Sequence, residues 1–157
     1  TRKESSAASD VYKRQAMNRR SGGLMQIKTT VLCLPVTELE KTLGFYKGVF
    51  GFSDAKIEEG IIALEFPNLS IFLMEKESYE SYSAKAGRAA LLPGNSAPAI
   101  ISCAVETKQD VDSALERALE FGGKAPGAAA IDASFGGYIG YVSDPEGHLW
   151  EIVCPKP

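Results

Sequence analysis

A chain of 157 residues with 45% hydrophobic content is long enough to bury a core of its own, as one domain or as two small fused modules. Its net charge of −3 and pI near 5.3, with no run of Lys or Arg in the part expected to fold, argue against a nucleic-acid partner. No apolar stretch approaches the roughly 20 residues that a membrane crossing needs, so no membrane partner is expected either.

Residues 1–24 open with TRKESSAASDVYKRQ, polar and aperiodic, and are expected to be a disordered or artefactual extension, with Met25 as the first candidate for the true start and Met17 as the second. Gln26 to Leu34 alternates as a strand that Pro35 is expected to end. Thr37 and Glu40 have the spacing of a capping box, and Leu39, Leu43, Tyr46 and Phe50 follow at helical spacing up to Gly51. Lys56 to Phe66 reads as two strands about a Glu-Glu-Gly turn, and Leu69 to Glu75 as a further strand. This first module, 25–75, is therefore β-α-β-β-β.

The segment 76–98 is long for a linker, and Glu77 to Lys85 can form a short helix with Tyr79 and Tyr82 on one side. The second module, 99–157, repeats the order of the first. Ala99 to Val105 is a strand, and Thr107 with Asp110 opens a helix carrying Val111, Leu115, Ala118 and Leu119 that Gly122-Gly123 closes. Lys124 to Ala130 is a poor strand, weakened by Pro126 and three alanines. Identity between the halves is slight, but the order of elements is duplicated.

The chain closes on FGGYIGYVSDPEGHLWEIV, residues 135–153. Gly136, Gly137 and Gly140 interleave with Tyr138, Ile139, Tyr141 and Val142, as in a strand that another group approaches closely. Asp144-Pro145-Glu146-Gly147 is a turn, and His148 to Val153 resumes as a strand in which Glu151 is the one carboxylate. His148 is expected to be a turn residue hydrogen-bonded to the Asp144 loop, and is the only histidine in the chain. The three cysteines, Cys33, Cys103 and Cys154, are odd in number and lack CxxC spacing, which suits reduced thiols in a cytoplasmic protein.

The run GGYIGYVSDPEGHLWEIV resembles the closing hairpin of the vicinal oxygen chelate superfamily, which includes lactoylglutathione lyases, bleomycin-resistance proteins and extradiol dioxygenases. The resemblance covers Met25 to Pro157 and is closest to small glyoxalase-like members. It implies an α+β fold in which two βαβββ modules form an open, U-shaped, eight-stranded mixed sheet with helices on the convex face. Strand parity then turns Leu32, Leu34, Ile71, Leu73, Ile101, Cys103, Val105, Trp150 and Ile152 toward the helices. Val31, Cys33, Ser70, Phe72, Met74, Ile100, Ser102, Leu149 and Glu151 line the concave side. A homodimer is expected, as family members of this size usually pair.

Metal-dependent members of the superfamily hold an ion with four side chains on the concave face, commonly His and Glu. Carried onto this chain, those positions fall on Val31, Phe72, Ile100 and Glu151, with Ser70 as the substitute for Phe72 if the register slips. One carboxylate cannot replace the three or more donors that Zn²⁺ or Ni²⁺ requires, so no metal and no other cofactor are expected. What the resemblance leaves is a groove for a small apolar or aromatic molecule, lined by Val31, Cys33, Phe72, Ile100, Ser102, Phe135, Tyr138, Tyr141 and Glu151. Its closest functional analogy is the drug-sequestering branch of the superfamily.

Glu151 is the candidate catalytic residue. In an apolar groove it is suited to serve as a general base of a cofactor-free isomerase or lyase, or as an anchor for a cationic or hydroxylated ligand. The bland alternative is a remnant carboxylate bound to Tyr or Ser neighbours. Cys33 lacks a His base and reads as small filler, and the aromatic residues can equally be core. Which of Tyr138 and Tyr141 faces the groove stays open. A metalloenzyme with ligands from Glu65, Glu75 or a partner chain is the remaining alternative.

Overall fold

A computed structural model describes residues 25–155; the expected extension, residues 1–24, lies outside them. The first module runs β1 (Val31–Val36), α1 (Leu39–Phe50), β2 (Ile57–Glu58), β3 (Ile61–Glu65) and β4 (Ser70–Glu75). Helix α2 (Lys76–Ser83) and a 3₁₀ turn (Ala84–Ala86) occupy the start of the linker. The second module runs β5 (Ile100–Ala104), α3 (Lys108–Glu120), β6 (Ala130–Ile131), β7 (Tyr138–Ser143) and β8 (Leu149–Cys154). The architecture is α+β: two four-stranded mixed sheets, ordered β1-β4-β3-β2 and β5-β8-β7-β6, with no ladder joining them among the described residues. In each sheet the first strand pairs parallel with the last, and the remaining pairs are antiparallel.

Local chemistry accounts for most of these elements. The β2–β3 hairpin turns on Glu59 and Gly60, both at positive φ (51° and 78°), the combination that a two-residue turn needs to match strand twist. Gly51 ends α1 in the left-handed region (φ 75°) and returns its N–H to the Tyr46 carbonyl. Thr107 and Asp110 form the reciprocal capping box at the start of α3.

The structure departs from the sequence reading in three places. β1 begins at Val31, and Pro35 lies within it; β1 is an outer strand, where a missing N–H costs no ladder bond. The segment Lys124 to Ala130 contributes only one bridge, Lys124 to Ser143, before the two-residue β6. Thr37 and Glu40 form no capping box. The Thr37 N–H, the Thr37 hydroxyl and the Glu38 N–H instead donate to the Glu146 carboxylate, at 2.8, 3.0 and 2.8 Å. The start of α1 is thus capped by the Asp144–Gly147 turn of the other module, with the negative group on the favourable end of the helix dipole.

One apolar core serves both modules. Ile62, Leu64, Ile71 and Leu73 of the first sheet and Val142, Trp150 and Ile152 of the second belong to a single buried cluster with Phe45 and Tyr46 of α1 and Val111 and Leu115 of α3. Trp150 sits at the junction, its ring centroid 4.6 Å from Phe50 and 5.2 Å from Phe66. Through this contact a buried polar chain runs from one module to the other. The Trp150 indole N–H donates to the Tyr46 hydroxyl (3.1 Å), which donates to Asp144 (2.9 Å). Asp144 also accepts from the His148 backbone N–H and lies 2.8 Å from its Nδ1. Gly140 has its physical reason here as well: a Cβ on it would meet Leu115 of α3 at 2.5 Å.

Candidate functional site

Glu151 lies on β8 between Ser102 of β5 and Tyr141 of β7, and the three are cross-strand partners in one row of the sheet. Strand alternation puts all three on the face opposite Trp150 and Ile152. The row is closed by two hydrogen bonds. The Ser102 hydroxyl donates to one carboxylate oxygen of Glu151 at 2.7 Å and the Tyr141 hydroxyl to the other at 2.6 Å. Donation to Glu151, then partial burial, then the carboxylate charge raise the Tyr141 pKa, so its phenol stays protonated.

The surroundings of this row are apolar and open. Ile100 is 55% exposed, Tyr141 38% and Phe135 55%. Phe135 lays its ring where a side chain on Gly137 would otherwise stand, which is why glycine fits there. Ile139, Leu149 and Val153 share the same face by register. The open question about the tyrosines is thereby answered. Tyr141 is on the Glu151 face, and Tyr138 is on the other, its hydroxyl donating to Asp112 of α3 at 2.8 Å.

Val31, Cys33 and Phe72 gather elsewhere, in a small cluster with Met74, Ile61, Ala63 and Tyr79. Phe72 and Met74 are each 4% exposed, so this face is filled where the Glu151 face is open. Tyr79 comes from the linker helix α2, and the sequence signal for it was its one-sided placement with Tyr82. Burial raises the Cys33 pKa, and burial followed by the nearby Glu151 charge raises that of Cys103, which keeps both thiols protonated and poorly nucleophilic. His148 is tied into the buried Asp144 network, apart from either thiol.

The pairing registers make the two modules comparable position by position. Cys33 faces Phe72 across β1 and β4 as Ser102 faces Glu151 across β5 and β8, and Val31 faces Ser70 as Ile100 faces Leu149. Phe72, and not Ser70, therefore stands where Glu151 stands in the second module. At the four positions to which the resemblance carries a metal site, Val31, Phe72 and Ile100 have no lone pair to offer, and the residues present do not fit a metal ion. No group of three His, Cys, Asp or Glu side chains converges elsewhere among the described residues.

A separate open cleft of about 470 Å³ lies behind the second sheet, lined by Phe50, Cys103, Val105, Glu106, Asp110 and Arg117 among others. Two of its polar groups are engaged in the fold: Arg117 donates to the Gly48 carbonyl and Asp110 completes the cap of α3. The Glu151 row, with polar groups converging on an open apolar face, has the better chemistry for a ligand.

No helix among the described residues is long and apolar enough to cross a membrane. No curated protein matches the chain. Among solved structures, it is similar to a glyoxalase-related enzyme from Fulvimarina pelagi, at 25% identity over 83% of this chain and 88% of that one, with a TM-score of 0.68. Hypothetical protein SA1046 from S. aureus shares the fold at 22% identity, over 82% of this chain and 95% of that one, with a TM-score of 0.67. Lactoylglutathione lyase from Agrobacterium tumefaciens does so at 17% identity, over 84% and 95%, with a TM-score of 0.57. The sequence profile of one family spans residues 26–152. The chain belongs to the glyoxalase/bleomycin resistance protein/dioxygenase superfamily.

Proposed function

We propose that this protein binds a small, mainly apolar or aromatic molecule against the Glu151 face, without a catalytic metal, as a homodimer in the cytoplasm. The observation that carries the reading is the Ser102–Glu151–Tyr141 row, a carboxylate fixed by two hydroxyl donors on a sheet face with exposed Ile100, Tyr141 and Phe135 around it. Each oxygen of Glu151 keeps capacity for a further hydrogen bond, and a ligand ammonium or hydroxyl supplies the donor. Dimerisation is supported by β5, an outer strand whose sequence IISCA carries neither charge nor proline to keep a second chain away. Three free cysteines suit a reducing compartment.

The test is a thermal-shift screen of small aromatic amines and their uncharged counterparts against the wild type and Glu151→Gln. Binding to the native state raises the melting temperature. Loss of the charged hydrogen bond in the variant is expected to weaken amine binding by about 1.5–3 kcal/mol. Equal binding by both proteins would reduce Glu151 to a remnant. A second reading is a cofactor-free isomerase or lyase with Glu151 as proton acceptor, its carboxylate oriented on the open face by Ser102 and Tyr141. There the same variant loses turnover and keeps its affinity.

A further inference from the structure

We propose that the linker helix α2 is a hinged cover over the first module's share of the groove, held down by Tyr79 and lifted when a flat aromatic ligand takes the place of that ring. The proposal rests on the ligand-binding reading above. It starts from an asymmetry between two faces that the duplication makes equivalent. On the second sheet, no helix among the described residues packs over the Glu151 side, and Ile100 and Tyr141 are 55% and 38% exposed. On the first sheet α2 packs against β1 and β4, and Phe72 and Met74 are 4% exposed. The residue that packs against that cluster from α2 is Tyr79.

The cover is lightly held. α2 follows β4 directly, with Glu75 at φ −48° and ψ 138° as the pivot between strand and helix. Its eight residues are fewer than a helix needs to persist unaided, no side chain caps its N-terminus, and none of its residues is itself buried. Beyond the Tyr79 contact, Ser78 lies close to the Gly60 turn, and Glu80 accepts from the Ala90 N–H of the following loop at a long 3.3 Å. A short segment with no fully buried residue belongs to the low-stability end of a fold, where local opening is cheap. The surface beneath has the shape and chemistry of what already sits on it: apolar side chains packed against one phenol ring. The ligand class that competes for it is therefore a small planar aromatic molecule.

Cys33 reports on the cover without any ligand, because its half-buried thiol belongs to the cluster under Tyr79 while Cys103 lies on the helix side of the other sheet. Alkylation of the full chain by iodoacetamide, followed residue by residue with mass spectrometry, is the measurement. Tyr79→Ala is expected to speed Cys33 modification by about tenfold, and Glu80→Ala, which cuts only the tie to Ala90, by a few fold. Cys103 should be unchanged in both. An unchanged Cys33 rate in both variants, or a parallel rise at Cys103, would overturn the cover. The ligand arm uses Nile red, a neutral planar dye, in a fluorescence titration, where Tyr79→Ala is expected to bind about tenfold more tightly as the closed state is removed. Unmasked Cys33 with no dye binding in any variant overturns both the ligand-driven release and the ligand-binding reading. Dye binding with a masked Cys33 in both variants overturns the cover alone.

Discussion

Replacing Tyr46 by Phe removes one oxygen atom from a fully buried side chain and leaves the ring packing untouched. Simple apolar accounting predicts a neutral or slightly favourable change. The hydrogen-bond chain predicts the opposite. The Trp150 indole N–H, also fully buried, loses its acceptor, which costs about 1–3 kcal/mol for an orphaned donor. Asp144 loses a donor to its carboxylate, a bond of the charged kind that contributes about 1.5–3 kcal/mol. Release of the hydroxyl from its own desolvation offsets part of this, and the expected net loss is about 3 kcal/mol. Urea unfolding followed by Trp150 fluorescence should show the midpoint fall by about 1–2 M, with the slope unchanged. Tyr138→Phe is the control, since that hydroxyl sits at the surface and bonds Asp112 alone; its midpoint should hardly move. A Tyr46→Phe loss below about 1 kcal/mol would refute the view that this chain of bonds holds the modules together.

Glu146→Ala uncaps α1 and is expected to lower stability by about 1–2 kcal/mol, with Glu146→Gln intermediate; a melting temperature equal to that of the wild type would place the cap elsewhere. Gly140→Ala forces a methyl against Leu115 and should cost about 1–3 kcal/mol in a denaturant titration, unlike a substitution on the open face. Burial, then the Asp144 charge, hold the Tyr46 hydroxyl well above its ordinary pKa near 10. The raised native value favours the protonated form, so its contribution is complete below about pH 10 and is lost as pH rises toward the native value. Above pH 10 the unfolded chain sheds this proton first, and stability should fall by about 1.4 kcal/mol per pH unit. Tyrosinate absorbance at alkaline pH should show Tyr46 ionising only with unfolding.

What the sequence made legible was set by local chemistry and by strand parity. Thr107 and Asp110 are three residues apart and cap α3 as their spacing says, because both partners of the bond lie within one turn. Thr37 and Glu40 have equivalent spacing and do not pair, because Glu146, more than a hundred residues away, takes both the Thr37 N–H and the Thr37 hydroxyl. No periodicity signals an acceptor at that distance. Pro35 failed as a strand terminator for a related reason, since the outer position of β1 is a property of the sheet and not of the residues around the proline. Parity, with the convex face that the resemblance implies, placed Ile71 and Leu73 in the core and Phe72 opposite them. It left Tyr138 and Tyr141 undecided until the pairing of Gly140 with Ile152 fixed the register. The linker helix was visible as a short one-sided segment, whereas its resting place on Phe72 depends on a chain reversal at Glu75 that propensity does not encode.

Because Trp150 is shared between Tyr46, Phe50 and Phe66 on one side and its own sheet on the other, neither of the two similar modules has a closed interior by itself. The two modules are expected to melt in a single cooperative step. The same dependence makes the chain divisible in a different sense. Residues 87–99 have no regular structure and are mostly exposed, and a cut after Arg88 severs the backbone away from buried Pro93 and from Gly94, which packs against Gly147. Two fragments expressed separately should stay incompletely folded alone and regain native structure on mixing, with an affinity set by the aromatic junction and the Glu146 clamp.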